Sequence, residues 1–351
     1  QLCVTTTVAI CPKFSSDRIW LNGSENLIKD FPRLQKVLYL VRQECKKAGK
    51  HELLKHNVHI CSVNNFPTAA GLASSAAGFA CLAFALTRLF DLDCDVSIIA
   101  RQGSGSACRS VYGGFVIWEK GEKADGTDSI AVQVAPECHW PELRVLVLVV
   151  SEQKKETSST SGMRRSVETS ELLKLRAEHV VPRRMAEMEE AILKKDFETF
   201  ANLTMKDSNQ FHAICLDTFP PILPPYMNHV SHNIVRLVTE YNKLRGIKVA
   251  YSFDAGPSAV LFLRENDVPE CLHLIKTFFP PSEDEKNFVR GLPDVKYSCK
   301  ETVKDQIIIP IYHGGIKYVI HTEVGDGPRI LTDSASCLLN HEGLPKKTFF
   351  S

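Results

Sequence analysis

The first 120 residues alternate short strand-like runs with helical patterns. Val4–Ile10 and Arg18–Leu21 are rich in β-branched and aromatic residues, and the turn signal Asn22-Gly23 follows them. We therefore predict that the chain opens with a β-hairpin. Apolar positions three and four apart predict helices, and alternating apolar positions predict strands. The remaining predicted elements of this region are helices at 31–48, 74–89 and 96–102 and strands at 57–63 and 114–118.

The pattern changes after a nearly continuous apolar run, Leu143–Val150, which predicts a buried strand. A polar segment follows, and then long charged helices over 165–195. Because a chain of 351 residues has room for about two domains, we place the boundary at residue 150, with one domain over 1–150 and the second over 151–351. Beyond it we predict helices at 197–216, 231–244 and 268–279 and strands at 248–253, 259–263 and 317–322.

Composition and charge exclude several classes of protein. With 44% hydrophobic and 24% charged residues the chain is typical of globular proteins, and a net charge of +1 gives no global field that would attract nucleic acid. Each apolar run is shorter than the roughly 20 residues that span a bilayer. The 12 cysteines form no CxxC pair, and His229 and His232 lack a third ligand, so we expect reduced thiols and helix-start histidines. We expect no nucleic-acid partner and no membrane association.

The most informative segment joins a strand to a helix through small residues, Asn64–Gly78. A helix that begins at the adjacent Ser74 and Ser75 offers backbone N–H groups and the positive end of its dipole to an anion. Small side chains let a polyphosphate approach the backbone, and serine hydroxyls can cap the helix or help hold Mg²⁺. A tight packing junction with a serine N-cap is the alternative. The nucleotide signatures GxxxxGK[ST] and GxGxxG are absent.

Three further segments combine hydroxyl groups, glycine and charge. Gly103–Ser110 surrounds Arg109 with hydroxyls, and arginine can bind a carboxylate or phosphate through two N–H groups; a solvated turn is the alternative. Asp254 ends an apolar strand before Gly256-Pro257, as either a turn-capping residue or a positioned base. Lys154–Met163 carries two lysines and several hydroxyls, which suit a loop that covers phosphates or a plain linker.

Together these segments resemble the diphosphomevalonate decarboxylase family of the GHMP small-molecule kinases, over essentially the whole chain. The matching motifs are Asp17–Gly23, Asn64–Ser75, Ser104–Arg109, Trp140–Leu143, Met205–His212, Phe253–Pro257 and Gly315–Tyr318. The resemblance implies an α/β fold of two GHMP-kinase-like domains, the N-terminal one binding ATP, with the active-site cleft between them. It implies ATP- and Mg²⁺-dependent conversion of (R)-5-diphosphomevalonate to isopentenyl diphosphate, ADP, phosphate and CO₂. It also implies a cytosolic homodimer of the mevalonate pathway, which supplies isoprenoid, sterol and cholesterol biosynthesis.

The resemblance assigns roles to individual residues. Asp254 would be the base, or the charge that orients the substrate hydroxyl; Arg109 would hold the substrate carboxylate, with Ser106 closest to the chemistry. Arg18 and Thr160 would bind the diphosphate end of the substrate. The substrate pocket would be lined by Ser104, Gly105, Ser106, Ala107 and Cys108. The ATP phosphates would be bound by Asn64, Asn65, Gly71, Leu72, Ala73, Ser74, Ser75, Ser159 and either Lys154 or Lys155, with Ser74 and Ser75 also near the magnesium ion.

The sequence departs from the family at its start. Members of the family carry, before the first hairpin, a strand with Asn-Ile-Ala-x-x-Lys-Tyr-Trp-Gly-Lys, whose lysines and tyrosine contribute to the substrate site, and the sequence begins after that motif. Two alternatives stand beside the decarboxylase, and the missing motif motivates the first. One is a truncated, catalytically impaired homologue that binds nucleotide or a full-length partner. The other is a small-molecule kinase that forms ADP but no CO₂.

Overall fold

A computed structural model describes residues 2–66, 73–151, 156–282, 287–293 and 303–347, which divide into two compact units. Within the described residues, the first unit comprises 2–66, 73–137 and 325–347, and the second comprises 138–324. This division differs from the predicted boundary at residue 150. The apolar strand Leu143–Val149 pairs on both sides with strands of the second unit, and the chain returns to the first unit after residue 324.

The first unit contains a four-stranded sheet whose topology differs from the predicted opening hairpin. The strands are β1 (Val4–Cys11), β2 (Arg18–Leu21), β3 (Ser24–Asn26) and β4 (Asn57–Asn64), in the order β1-β4-β2-β3. The hairpin prediction was wrong because β1 pairs antiparallel with β4, while β2 pairs parallel with β4. The Asn22-Gly23 turn instead joins β2 to β3. Both residues have positive φ, 48° and 84°, as a two-residue hairpin turn of this kind requires.

Helices and a small hairpin complete the first unit. They are α1 (Pro32–Lys47), α2 (Ser74–Leu89), α3 (Val96–Gly103), β5 (Phe115–Trp118) and β6 (Ala131–Ala135), and a 3-10 helix spans Gly105–Val111. Val37 of α1, Ile60 of β4 and Ala83 of α2 share one apolar core with no exposed surface. The small residues of α2 let this helix pack closely in that core. Residues Leu338 and Leu339 of the returning chain pack on Trp20 and Cys61.

The second unit is built on a five-stranded sheet. Its strands are β7 (Leu143–Val149), β8 (Val249–Phe253), β9 (Ala259–Arg264), β10 (Val289–Gly291) and β11 (Tyr318–Glu323), in the order β10-β11-β7-β9-β8. The central position of β7 explains its unbroken apolar sequence and confirms the predicted buried strand. The helices are α4 (Ser159–Thr169), α5 (Glu171–Leu175), α6 (Val181–Lys194), α7 (Phe197–Asp217), α8 (His229–Arg245) and α9 (Val268–Phe278).

Several features of the sequence find their explanation in this arrangement. The charged region predicted as long helices is interrupted at Ser170, whose hydroxyl caps α5, and again by a turn of π-helix at Arg176–Val180. His229 and His232 lie in the first turn of α8, which is capped by Asn228. The cysteines in the described part of the chain are free thiols. Among the described helices, none is both long and apolar enough to cross a bilayer.

Candidate active site

The start of α2 offers donors for an anion in the first unit. Ala73 occupies the N-cap position and makes no side-chain capping bond, so Ser74 and Ser75 lie within the first turn rather than at the cap. Ser75 is exposed, and within the described first turn there is no acidic side chain. The N–H groups of a first helical turn lack intrahelical partners, and the helix dipole favours negative charge there. The first turn therefore offers the donors and the charge that phosphate binding needs, and the binding itself stays a prediction. Gly71 and Leu72 lie outside the described residues.

The two asparagines before this loop hold the end of the sheet. The Asn65 Oδ1 atom accepts a hydrogen bond from the backbone N–H of Cys3 at 2.9 Å, and the Asn65 N–H donates to the Cys3 carbonyl at 3.2 Å. The Asn64 N–H donates to Asn22 Oδ1 at 3.1 Å. These contacts give both asparagines a structural task at the strand end from which the loop departs. Their predicted contact with nucleotide stays a prediction.

The hydroxyl- and arginine-bearing segment lies beside the start of α2. Ser104 ends α3, and its Oγ lies 3.4 Å from the Ser75 Oγ. The following 3-10 helix places Ser106 in a half-buried position and leaves Arg109 exposed, while the Ala107 and Cys108 side chains have no exposed surface. Burial raises the pKa of the Cys108 thiol. Because the exposure of Ala107 and Cys108 is zero for the whole residue, neither their side chains nor their backbone face solvent, and their predicted place in the pocket wall stays a prediction.

Trp118 of β5 packs against this segment. A Cβ atom at Gly105 would lie 2.9 Å from the Trp118 ring, so the close approach requires glycine. The Arg109 guanidinium carbon lies 6.0 Å from the centroid of the same ring, within the range of a cation–π contact. The ring itself is fixed because its Nε1–H donates to Ser129 Oγ at 3.0 Å, and that hydroxyl donates to the Glu119 carbonyl at 3.1 Å. Sequence reasoning missed Trp118 and Ser129, which lie outside the recognised motifs.

Arg18, the predicted diphosphate ligand, is engaged with a carboxylate. Its Nε and Nη2 atoms donate to the two oxygens of Glu25 at 2.7 and 2.8 Å, and its guanidinium carbon lies 4.5 Å from the Trp20 ring centroid. These hydrogen bonds hold the pKa of the Glu25 carboxyl below its usual range. Trp20 and Glu25 are direct partners in the β2–β3 register. The Arg18 guanidinium thus binds a carboxylate in bidentate geometry, and Glu25 supplies that carboxylate.

Asp254 in the second unit caps its own turn and has an exposed carboxylate. It directly follows β8, its carboxylate is exposed, and its Oδ1 accepts the N–H of Ala255 at 2.7 Å. The Gly256 N–H donates to the Asp254 carbonyl, also at 2.7 Å. The residue therefore caps its own turn while it presents a carboxylate oxygen to solvent.

Side chains of two helices anchor the loop around Asp254. From α7, Ser208 Oγ accepts the N–H of Phe253 at 3.0 Å, and His212 Nε2 lies 3.3 Å from the Phe253 carbonyl. From the first turn of α8, Ser231 Oγ donates to the Pro257 carbonyl at 2.8 Å. Sequence reasoning quoted residues 205–212 as part of the resemblance but gave them no role. Ser208 and His212 are four residues apart, so they share one face of a helix, and this spacing was the available signal.

The start of α4 contacts the same neighbourhood through Tyr226. Ser158 caps α4 by accepting the Ser161 N–H at 3.1 Å, which leaves Ser159 half-buried and Thr160 exposed in the first turn. The Tyr226 hydroxyl donates to the Ser158 carbonyl at 3.4 Å. Tyr226 also belongs to a small apolar cluster with Cys215, Ile222 and Ala255, the residue after Asp254. Lys154 and Lys155 lie outside the described residues.

Three titratable side chains near Asp254, those of Cys215, Tyr226 and His212, have pKa values shifted toward their neutral forms. Burial, with a smaller contribution from the Asp254 carboxylate, raises the pKa of Cys215 to about 11. Burial also raises the pKa of Tyr226 to about 12 and lowers the pKa of His212. The described residues contain no group of three His, Cys, Asp or Glu side chains suited to a metal ion. A carboxylate among neutral groups can accept or orient a proton.

Both halves of the chain match family models for one enzyme. Residues 1–131 match the diphosphomevalonate decarboxylase-like N-terminal domain, and residues 145–331 match the mevalonate 5-diphosphate decarboxylase C-terminal domain. The chain is 53% identical to the diphosphomevalonate decarboxylase of Danio rerio over 353 residues, which is 99% of this chain and 88% of that protein.

Solved structures agree with the sequence relationship. The mevalonate diphosphate decarboxylase from Trypanosoma brucei superimposes with a TM-score of 0.86 at 38% identity, covering 94% of this chain and 87% of that one. A structure described as MDDEF in complex with MVAPP, AMPPCP and magnesium superimposes with a TM-score of 0.69 at 31% identity, covering 80% and 83%. The predicted α/β fold of GHMP-kinase type is confirmed. The chain belongs to the diphosphomevalonate decarboxylase family.

Proposed function

We propose that this chain catalyses the ATP-dependent decarboxylation of mevalonate 5-diphosphate to isopentenyl diphosphate, with release of ADP, phosphate and CO₂. The observation that carries the proposal is the 53% identity to a diphosphomevalonate decarboxylase over 99% of the chain. The geometry supports it as well, because each unit presents the kind of group the reaction needs. The first has an arginine beside a cluster of hydroxyls, and the second has an exposed carboxylate at a strand end.

The chemistry needs a base and a positive charge. Asp254 accepts or orients the proton of the tertiary hydroxyl while that oxygen takes the γ-phosphoryl group of ATP. The hydroxyl thereby becomes a phosphate leaving group. When the phosphate departs, the electron pair of the bond to the carboxylate carbon forms the new double bond, and CO₂ is released. Arg109 holds the substrate carboxylate through paired N–H groups. Ser106, which we assign to the reacting centre, lies three residues before Arg109 on the same 3-10 helix, about one turn away.

The helix starts supply phosphate-binding groups. We assign the backbone around Ala73, Ser74 and Ser75 to the ATP phosphates, together with Ser159 at the start of α4. Magnesium fits these residues because Mg²⁺ prefers oxygen ligands and takes much of its coordination from phosphates and water. The Ser74 and Ser75 hydroxyls would be its protein ligands. When bound, the ion neutralises part of the phosphate charge.

The remaining assignments follow the family. We assign Arg18 and Thr160 to the diphosphate end of the substrate, and Ser104 and Gly105 to the wall of the substrate pocket. In the first case Glu25 competes with the phosphate, since it occupies the Nε and Nη2 donors of Arg18 and leaves Nη1 for a further oxygen. We further assign the protein to isoprenoid and sterol synthesis in the cytosol, acting as a homodimer.

The experiment is a product assay on the 351-residue chain with mevalonate diphosphate, ATP and Mg²⁺. We expect ADP, phosphate and CO₂ in equal amounts, with no CO₂ when ATP is omitted. Formation of ADP without CO₂ would make the protein a kinase of the same superfamily. Nucleotide binding without any product would exclude catalysis by this chain.

A further inference from the structure

The strand that leads to Asp254 lies at one edge of its sheet. In the described sheet β8 pairs only with β9, so alternate residues of β8 point their backbone N–H and C=O groups away from β9. Unpaired backbone groups at an edge need other partners when they are covered. In this protein two helices supply those partners through side chains.

Phe253, the residue immediately before Asp254, is held on both of its backbone groups. Ser208 Oγ accepts the Phe253 N–H at 3.0 Å, and the carbonyl lies 3.3 Å from His212 Nε2. A carbonyl oxygen only accepts, so Nε2 carries the hydrogen in this contact. Burial lowers the pKa of His212, which keeps the ring neutral, and Ser208 is almost completely buried. The two contacts therefore hold the two peptide groups that flank Phe253, and the second of these, which contains the Phe253 carbonyl, directly precedes Asp254.

We propose that Ser208 and His212 are positioning residues for the reaction: they hold the backbone of Phe253 and thereby aim the Asp254 carboxylate at the substrate hydroxyl. The proposal rests on the proposed function, in which Asp254 acts on that hydroxyl. Neither residue needs to touch substrate. A displacement of about 1 Å at a reacting group can cost about 100-fold in rate, so directional bonds one residue away have a large effect on turnover.

The same strand carries a matched control at its other end. Asn242 of α8 binds both backbone groups of Val249, donating to its carbonyl at 2.7 Å and accepting its N–H at 3.1 Å. Val249 and Phe253 begin and end β8. Asn242 Oδ1 also accepts the N–H of Lys248 at 3.0 Å. Asn242→Ala therefore removes a comparable side-chain anchor, of three bonds, from the same edge strand at the end remote from Asp254. It reports the effect of loosening β8 without disturbing the aspartate.

The experiment compares Ser208→Ala, His212→Leu, His212→Gln and Asn242→Ala by steady-state kinetics and by hydrogen exchange of the segment around Phe253. We expect Ser208→Ala and His212→Leu to lower kcat about 10- to 100-fold, with KM for ATP and for mevalonate diphosphate changed less than about threefold. His212→Gln keeps an N–H donor at a similar reach and should restore most of kcat. Asn242→Ala should lose thermal stability but keep kcat within about twofold of the parent.

Two results would overturn the proposal. One is an equal loss of kcat in Asn242→Ala and His212→Leu, which would mean that any loosening of β8 suffices. The other is that hydrogen exchange around Phe253 is no faster in the Ser208 and His212 variants than in the parent chain. Failure of the proposed function is distinguishable, because it shows as absence of CO₂ release by the unaltered chain. The exchange measurement then still decides whether these two side chains hold the peptide.

Discussion

The loop at Asp254 and the 3-10 helix at Arg109 are held in place by different kinds of contact. Around Asp254 the anchors are hydrogen bonds from helix side chains to the backbone, contributed by Ser208, His212 and Ser231. Around Arg109 the anchor is packing: the neighbouring Ala107 and Cys108 are completely buried, and Gly105 lies against Trp118.

This difference matches what each group must do. Hydrogen bonds are directional, so they fix the orientation of a short carboxylate side chain. Close packing fixes the position of a backbone segment, while a long exposed side chain above it can still change rotamer. We infer that Asp254 is held ready for proton transfer, whereas Arg109 is free to follow the carboxylate it binds. Substitutions at the two sites should therefore differ in which kinetic constant they change.

The largest effect is expected from Asp254→Asn. Asparagine keeps the shape of the side chain and an acceptor for the Ala255 N–H, so the loop should be preserved. It cannot accept a proton, and general-base catalysis contributes about 100- to 10,000-fold. We expect kcat to fall by that factor in the CO₂-release assay, with nucleotide affinity nearly unchanged. Full activity of this variant would exclude Asp254 from the chemistry.

A smaller but distinct effect is expected from Arg109→Lys. Lysine keeps the charge but loses the paired N–H groups and the planar contact with Trp118. Loss of such a charge-stabilising contact typically costs about 100- to 1,000-fold. In the proposed role Arg109 also binds the ground-state carboxylate, so KM for mevalonate diphosphate should rise together with the fall in kcat. For Asp254→Asn we expect no rise in KM. The two variants should therefore differ in whether KM changes along with kcat.

The matched control for this substitution is Arg290→Lys. Arg290 is also exposed, and its guanidinium carbon lies 3.9 Å from the Tyr318 ring centroid. It carries the same kind of cation–π contact but belongs to no proposed site. Its replacement should leave both kinetic constants unchanged. An equal loss in the two variants would show that the stacking, rather than the bound carboxylate, explains the effect of Arg109→Lys.

The sequence predicted elements well where one periodicity dominates. The apolar run of β7 and the helical spacing of α1 were identified because in each the pattern follows from burial of that element against one core. Strand pairing was predicted wrongly for β1. The sequences of β1 and β2 predict two strands equally well whether the strands pair with each other or, as here, with β4 between them. The partner of β1 is β4, more than 40 residues further along, and local patterns carry no information on such contacts.

The site was predictable only in part, for a related reason. Residues with conspicuous chemistry in a loop, such as Asp254 and Arg109, can be found from residue type and neighbours. Their supports cannot, because Ser208, His212 and Trp118 act through contacts between distant segments of chain. Resemblance to the family located residues 205–212 but gave no reason for their presence. The hydrogen bonds to Phe253 supply that reason.

A moderate effect is expected from Gly105→Ala, which tests the packing side of the comparison. The added Cβ would lie 2.9 Å from the Trp118 ring, so the ring or the 3-10 helix must shift. Trp118 is tied to Ser129, which makes the helix the part that moves. We expect kcat/KM to fall about 10-fold. Gly325→Ala is the control, because its Cβ would meet no atom within 4 Å, and it should behave like the parent chain.

The smallest effect is expected from Glu25→Gln, which removes the carboxylate that is paired with Arg18. If Arg18 binds the substrate diphosphate, removing the competing carboxylate should lower KM for mevalonate diphosphate about two- to fivefold. Such a factor matches the roughly 0.2–1 kcal/mol of an exposed ion pair.

Because Arg18 depresses the pKa of Glu25, the pair stabilises the fold above the carboxyl's unfolded pKa. That stability is lost as the pH falls through the depressed folded pKa, so the free energies of unfolding of the parent and the variant should become equal in acid.

The control for the binding effect is Glu52→Gln, which breaks the 2.7 Å pair with Lys55 and should leave KM unchanged. A KM that rises in Glu25→Gln would mean that Glu25 holds Arg18 in its binding geometry rather than competing for it.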